Sequence, residues 1–478
     1  MTSYTLDPSV RRAADGRVLV GGSPLVLLRL TAAGTDLIDR IERGDAPTVG
    51  DAAEPTFTGA KTVALLDRLL DAGVVHPHHP RGSSPADVAV VVPAYTASPA
   101  ALRNIVEACS NTAEVIIVDD ASPQPIEPIA GATVIRREVN GGPGAARMTG
   151  LEHVTRTVSL IAFVDTDVGL TAGWLDPLLA HFADPRAALV APRVASAGDA
   201  TSSSRLARYE LVRSSLDLGP TAARVRAGTR VSYVPAAAIV CRRAALDDVG
   251  GFDQTLRFGE DVDLVWRLDE AGWRVRYEPD SVVHHQPRPT LMAWMRQRAS
   301  YGGSAAALAE RHPGALAPVR VSGWSAASWA AVVGGWPIIG GAVAAVTTAL
   351  LARKLRGVPD SGRLALRLAG LGHLYAGRSL ASGITREWWP LTAAAALVSK
   401  RARRAALLAV VVPALLDWRA DRPALDPATY IALRLLDDAS YGTGVIAGSV
   451  RTRSAAALRP DFRSWPKSGA RSPRPVAR

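Results

Sequence analysis

Apolar positions are distributed in three different ways along this chain. Over the first 80 or so residues they come in short clusters. Arg17–Val20 reads as an extended run, Leu30–Ile41 and Val63–Leu70 repeat with helical spacing, and Gly73 ends the second helix. The stretch His76–Pro85, rich in Pro, Ser and His, reads as a linker. From Val88 the pattern turns to continuous apolar runs at Val88–Pro93, Glu114–Asp120, Ala132–Ile135 and Ser159–Asp165, mostly separated by helical segments. Runs of this kind are strands buried on both faces, and their alternation with helices predicts an α/β domain with a mostly parallel sheet. The third pattern begins at Val321, where 32 residues to Ala352 contain no Asp, Glu, Lys, Arg or His. A shorter apolar run, Ala405–Leu416, is separated from Leu391–Ser399 by the basic segment Lys400–Arg404. After Arg451 the chain is rich in Arg, Ser and Pro and reads as a disordered tail. The expected organisation is a small domain over 1–80, an α/β domain over 88–315, an apolar and basic helical region over 316–450 and the tail 451–478.

At 478 residues, 48% apolar and 21% charged, the chain has material for two or three domains and is not a disordered protein. Two cysteines, Cys109 and Cys241, exclude a disulfide framework and a cysteine-based zinc cluster. Lys and Arg exceed Asp and Glu by 55 to 44. Residues 352–478 hold 22 Lys/Arg against eight Asp/Glu, whereas residues 1–351 hold 33 against 36. The basicity follows the apolar run, so it predicts attraction to an anionic membrane surface and not a nucleic-acid footprint. Trp324, Trp329 and Trp336 near one end of the run, with Arg353, Lys354 and Arg356 closing the other, have the character of interface anchors. A single span would put the basic tail outside the cell, against the positive-inside tendency. Peripheral or re-entrant attachment on the cytoplasmic face is therefore the expectation, in keeping with an N-terminus that lacks a secretory h-region.

Candidate chemistry concentrates between Val88 and His285. In parallel α/β sheets ligands bind beyond the carboxyl ends of the strands, and two of these runs end in Asp, at Asp119–Asp120 and at Asp165–Asp167. A carboxylate at Asp120 can accept from the imide N–H of a base. The Gly-rich turn Asn140–Arg147 offers backbone N–H groups and an Arg to phosphates, without the Gly-Lys-Ser/Thr ending of a Walker loop. Asp165-Thr-Asp167 suits a hard divalent cation, and Glu260 or Asp261 at a helix start could deprotonate an acceptor hydroxyl. Each has a plain alternative: a solvated turn, a tight turn, an acid complementing a helix dipole. Their conjunction, with the Asp sites about 45 residues apart and the Gly/Arg turn between them, is what points to a site.

As a set, Val90-Val-Val-Pro-Ala-Tyr95, Val118-Asp-Asp-Ala-Ser122, Asn140–Arg147, Phe163-Val-Asp-Thr-Asp-Val168 and Gly259–Arg267 resemble family 2 glycosyltransferases of the GT-A fold, over about residues 88–300. The resemblance implies inverting, metal-dependent transfer from a nucleoside-diphosphate sugar, with Mn²⁺ or Mg²⁺. It places Pro93, Tyr95, Asp120, Gly142, Arg147 and Asp165 around the nucleotide sugar, and Asp167 at the metal. Asp261 is the implied base, with Glu260 as second choice. In Pro279–His285 the implied second metal ligand is His285, with His284 the alternative. The N-terminal strand and helix pattern, with Leu69–Val75, is similar to small PqqD-like peptide-recognition domains, which have a winged-helix outline. Residues 1–85 carry nine basic and ten acidic residues, which argues against DNA. Such a unit fused to this transferase, with Tyr301–Ser304 and Arg311–Gly314 downstream, is similar to the glycosyltransferases of the mycofactocin system. That family implies glucose transfer, from UDP-glucose, to a peptide-derived small molecule. A lipid or cell-surface polysaccharide acceptor, and a non-catalytic peptide-binding scaffold, are the competing readings.

Overall fold

The computed structural model describes residues 2–13, 15–45, 60–80, 82–198, 201–202 and 204–462. The chain divides into two compact units. Among the described residues, the first comprises those up to Ala197 together with Ser214–Gln286, and the second comprises those of Gly198–Arg213 and Pro287–Phe462.

The first unit begins with strands β1 (Ser3–Leu6), β2 (Arg11–Ala13), β3 (Val18–Gly21) and β4 (Val26–Arg29), helices α1 (Ala32–Arg43) and α2 (Ala60–Asp71), and β5 (Val75–His78). β2, β3 and β4 form an antiparallel sheet, and β1 pairs antiparallel with β5. Thr31 caps α1 by accepting from the Gly34 amide. Leu37, Ile38 and Ile41 on α1 and Leu66, Leu69 and Leu70 on α2 close a core of their own with Leu19, Val74 and Val75. The expected linker therefore starts later than its composition suggests. His76 is buried in β5, where Nε2 lies 2.8 Å from Asp7 Oδ2, and this partner across the sheet holds a His/Pro-rich segment as a strand.

The larger part of the unit is one mixed sheet. It is built from β6 (Val88–Ala94), β7 (Glu114–Asp119), β8 (Thr133–Arg136), β9 (Leu160–Val164), β10 (Val168–Leu170), β11 (Ala187–Ser196), β12 (Ala223–Arg224), β13 (Ala238–Arg242) and β14 (Arg274–His285). Their order is β10-β14-β11-β13-β9-β6-β7-β8, with β12 beside β14. The strands read from the early apolar runs, β6 to β9, are parallel as expected. Beyond them β13 runs antiparallel to both β9 and β11, so the sheet is less uniformly parallel than the runs alone imply. Helices α3 (Pro99–Ala108), α4 (Pro143–His153), α5 (Leu175–Ala180), α7 (Arg243–Val249) and α8 (Glu260–Glu270) flank it. Val88–Val92 are wholly buried, and a Cβ at Gly150 of α4 would meet Val91 Cγ1 at 2.3 Å, so α4 sits tight on β6.

Two patches tie the small domain to this sheet. Arg274, at the start of β14 and 3% exposed, donates from Nε to Asp71 (2.9 Å), from Nη2 to Asp67 (2.8 Å) and from Nη1 to Asp184 (2.9 Å). Two residues on, Arg276 donates to Nδ1 of His76 at 3.2 Å. Asp7 also accepts from Arg230 at 3.3 Å.

The second unit is mainly helical: α6 (Arg205–Arg213), α9 (Leu291–Gly303), α10 (Ala305–Arg311), α11 (Gly323–Val333), α12 (Pro337–Lys354), α13 (Ser361–Thr385), α14 (Trp389–Val398), α15 (Lys400–Asp421) and α16 (Pro427–Thr452). A short parallel pair, β15 (Arg320–Val321) with β16 (Asp461–Phe462), completes it. The 32-residue apolar run is not one helix. It breaks at Gly334–Trp336 into α11 and α12, with Gly335 at φ +94°. α16 and β16 carry ordered structure past Arg451, and residues 463–478 of the expected tail lie outside the described residues.

Candidate active site

Beyond the carboxyl ends of β6, β7 and β9, three groups of side chains assemble. At the end of β7 Asp119 and Asp120 are both buried. Asp119 accepts from the Ser122 amide (2.9 Å), the Ile126 amide (3.2 Å) and Arg136, which the β7–β8 register sets directly across from it. These bonds outweigh burial and hold its carboxyl below the ordinary range. Asp120 accepts from the amides of Gly141 (3.1 Å) and Gly142 (2.7 Å) and from Arg137. Its carboxylate thus shapes the glycine-rich turn from beneath, and Gly142, at φ +86°, delivers the chain into α4. Pro93 is buried at the end of β6, while Tyr95 beside it is 52% exposed.

The second group is built on Arg147 of α4, 2% exposed with its guanidinium 5.2 Å from the centroid of Phe252. Nη1 donates to Glu260 Oε1 at 2.8 Å, and Nη2 donates to Asp165 Oδ1 at 2.6 Å and to the Ala236 carbonyl at 3.3 Å. The expected place of Arg147, near phosphates, is thus taken up by carboxylates of the protein itself. Burial pushes the Asp165 carboxyl up to about 6, with Arg147 opposing and Asp167 adding to the rise. Desolvation also raises both members of the Glu260–Asp261 pair. The two differ in access. Glu260 is buried against Arg147, whereas Asp261 is partly exposed and held by the amides of Val262 (2.8 Å) and Ala236 (3.3 Å).

The third group joins Asp167 to His285. β10 pairs antiparallel with β14, placing Val168 opposite His285, and His285 Nε2 lies 3.2 Å from Asp167 Oδ2. The amide of Gln286 donates to the Asp167 carbonyl at 3.1 Å, closing the turn. Neighbours on a strand face opposite sides, so His284 is turned away from this pair. A carboxylate oxygen beside an imidazole nitrogen fits a divalent cation that takes its remaining ligands from phosphate and water. Reading the sequence did not single out Arg136, Arg137 or Phe252. The signal for the first two is an Arg-Arg pair ending one strand beside an Asp-Asp ending another, and it becomes readable only once the β7–β8 register is known.

A family model, Glycosyl transferase family 2, matches residues 89–250, the stretch that carries β6 to β9 with Asp119, Asp120, Arg147, Asp165 and Asp167. Over 477 residues, 96% of this chain and 97% of the relative, the sequence is 42% identical to the pre-mycofactocin glycosyltransferase of Mycobacterium tuberculosis H37Rv. The chain belongs to that glycosyltransferase family. A shorter similarity, 40% over 95 residues, covers 17% of this chain and 30% of the succinoglycan biosynthesis protein ExoW of Rhizobium meliloti. Among solved structures, a Pyrobaculum calidifontis mannosyltransferase in complex with GDP-Man and Mn²⁺ aligns over 78% of this chain and 90% of its own, with TM-score 0.42 and 17% identity.

Proposed function

We propose that this chain transfers glucose from UDP-glucose, with inversion, to a peptide-derived mycofactocin precursor and extends it as a β-linked oligosaccharide. The end-to-end identity to a relative named for that precursor carries the acceptor assignment. The convergence of Asp167, His285, Asp165 and Asp261 beyond the strand ends supports the chemistry. Asp167 and His285 would hold Mn²⁺ or Mg²⁺, which when bound neutralises charge on the leaving diphosphate. Asp261, the accessible member of its pair, accepts the proton of the attacking hydroxyl. Arg147 keeps Glu260 and Asp165 in place beside it, and Asp120 holds the glycine turn open for the nucleotide. With no protein nucleophile in the pathway, a single displacement turns an α-linked donor into a β-linked product. The small N-terminal domain, PqqD-like in outline, would receive the peptide-derived acceptor.

The test is mass spectrometry of products from purified chain, UDP-glucose, Mn²⁺ and three acceptor classes: the peptide-derived precursor, a polyprenyl lipid and a β-glucan oligosaccharide. Serial hexose additions to the first alone are expected. Additions to the lipid alone would transfer the assignment to a lipid acceptor, a reading favoured by the exposed apolar helices of the second unit.

A further inference from the structure

The second unit displays a surface that water does not suit. At the α11–α12 turn Trp336 is 62% and Ile338 87% exposed, and at the end of α14 Leu397 and Val398 are 82% and 88% exposed. α15 adds Leu407 and Leu408, each over 60% exposed. Isolated apolar side chains on a soluble surface are ordinary, but runs of this size on adjoining helices mark an interaction face. The occupant can be argued from charge. The apolar end of α14 runs directly into exposed Lys400, Arg401, Arg403 and Arg404, and α12 ends in exposed Arg353 and Lys354. A second copy would bring the same cations against these, whereas an anionic bilayer meets both the charge and the apolar side chains. Residues 463–478 include only Trp465 and Val476 as large apolar side chains, too few to sheathe the face. α11, at 11 residues, is about 16 Å long and cannot cross a hydrocarbon core of about 30 Å, whereas α12, at 18 residues and about 27 Å, is long and apolar enough to do so. It is bound to α12 by the Ser328 hydroxyl donating to the Gly340 carbonyl at 2.8 Å. We infer that the second unit is a membrane-docking unit. The exposed apolar side chains at the α11–α12 turn, at the end of α14 and along α15 enter an anionic bilayer, and the Lys/Arg clusters beside them lie at its headgroups.

This inference is independent of the sugar chemistry. Full-length protein is floated with phosphatidylcholine vesicles, with or without 30% phosphatidylglycerol, at low and high salt. Flotation with the anionic vesicles should exceed that with neutral ones at least tenfold and fall with salt. The exposed pair Trp336→Glu/Ile338→Glu should lower it at least fivefold on the anionic vesicles while leaving the melting temperature unchanged. Replacing Lys400, Arg401, Arg403 and Arg404 by Ser should remove the anionic preference alone. Absence of flotation, or flotation indifferent to both variants, overturns the inference. So does a concentration-dependent dimer that the Trp336/Ile338 variant splits, since the face would then belong to a second copy.

Discussion

Replacing Arg147 by Lys keeps a positive charge between Asp165 and Glu260 but not the fork that reaches both. We expect Arg147→Lys to fold with a melting temperature a few degrees lower and to lose about 100-fold in transfer rate, the scale on which misplaced catalytic groups act. Arg147→Met should cost stability on the order of 3 kcal/mol, because it strands buried Glu260 and half-buried Asp165, and thermal melts separate the two variants. For the base, Asp261→Asn should keep donor binding and lose about 10²–10⁴-fold in turnover. Glu260→Gln, which can still accept from Arg147, should stay within about tenfold of the parent. Donor affinity measured beside initial rates tells these apart, and turnover kept in Asp261→Asn but lost in Glu260→Gln would move the base to Glu260. Asp167→Ala, or chelation of divalent cations, should abolish transfer with the melting curve intact. At this scale the residue types were legible in the sequence and their partners were not. Asp120 and Arg147 stand out in the string as strand-end and turn residues. That one is occupied by glycine amides and the other by carboxylates depends on packing between α4, α8 and β9, which no local pattern encodes.

β14 is the element on which the small domain and the candidate metal site meet. Its first residues, Arg274 and Arg276, are buried against Asp67, Asp71 and His76, and its last is His285. Removing residues 1–80 is therefore not a clean test of acceptor recognition. It would leave Arg274 without two of its three carboxylates, and we expect the truncated chain to lose donor hydrolysis along with acceptor transfer. Asp67→Asn, whose carboxylate is the most exposed of the three, should instead be mild, lowering the melting temperature by at most a few degrees. The helices and strands were readable where apolar period was strong, as in β6, β7 and β9. β5 was not, because His-Pro-His reads as a loop until Asp7 and Arg276 are set beside His76. β13 was not read as a strand at all, since its five residues run straight into α7, and even a recognised buried run carries no sign of its direction.

At the scale of the whole chain, stability should depend on pH in a particular sense. Burial lowers His76, His79 and His181, with His79 down to about 4. In His76 Nε2 faces the Asp7 carboxylate and Nδ1 accepts from Arg276, an arrangement only the neutral ring can make. Groups that are neutral when folded and protonated when unfolded stabilise the fold above the unfolded value of about 6.5. That contribution is lost as pH falls from there towards about 4. Asp7, held near 2 because its bonds to His76 and Ser9 outweigh burial, adds a loss only at still lower pH, between about 4 and 2. The raised carboxyls of Asp165, Glu260 and Asp261 act in the opposite sense over the same range, so the histidine contribution is read as a difference: in calorimetry from pH 7.5 to 4, His79→Leu should lose less melting temperature below pH 6.5 than the parent does. The three compositions along the sequence announced separate regions. The helical unit's claim on α6, α9 and α10 was hidden, because nothing local in these helices says which unit they pack into.

The attachment of the small domain also governs how such enzymes can be recombined. A chimera that joins the first 80 residues of one relative to the remainder of another would bring Asp67, Asp71 and His76 from one lineage to Arg274 and Arg276 from the other. Unless those five positions travel together, the graft places uncompensated charge at the root of the strand that ends in His285. The small domain should therefore be exchangeable between relatives only in blocks that include the opening of β14, and functional chimeras selected from a shuffled library should show their crossovers depleted between these partners.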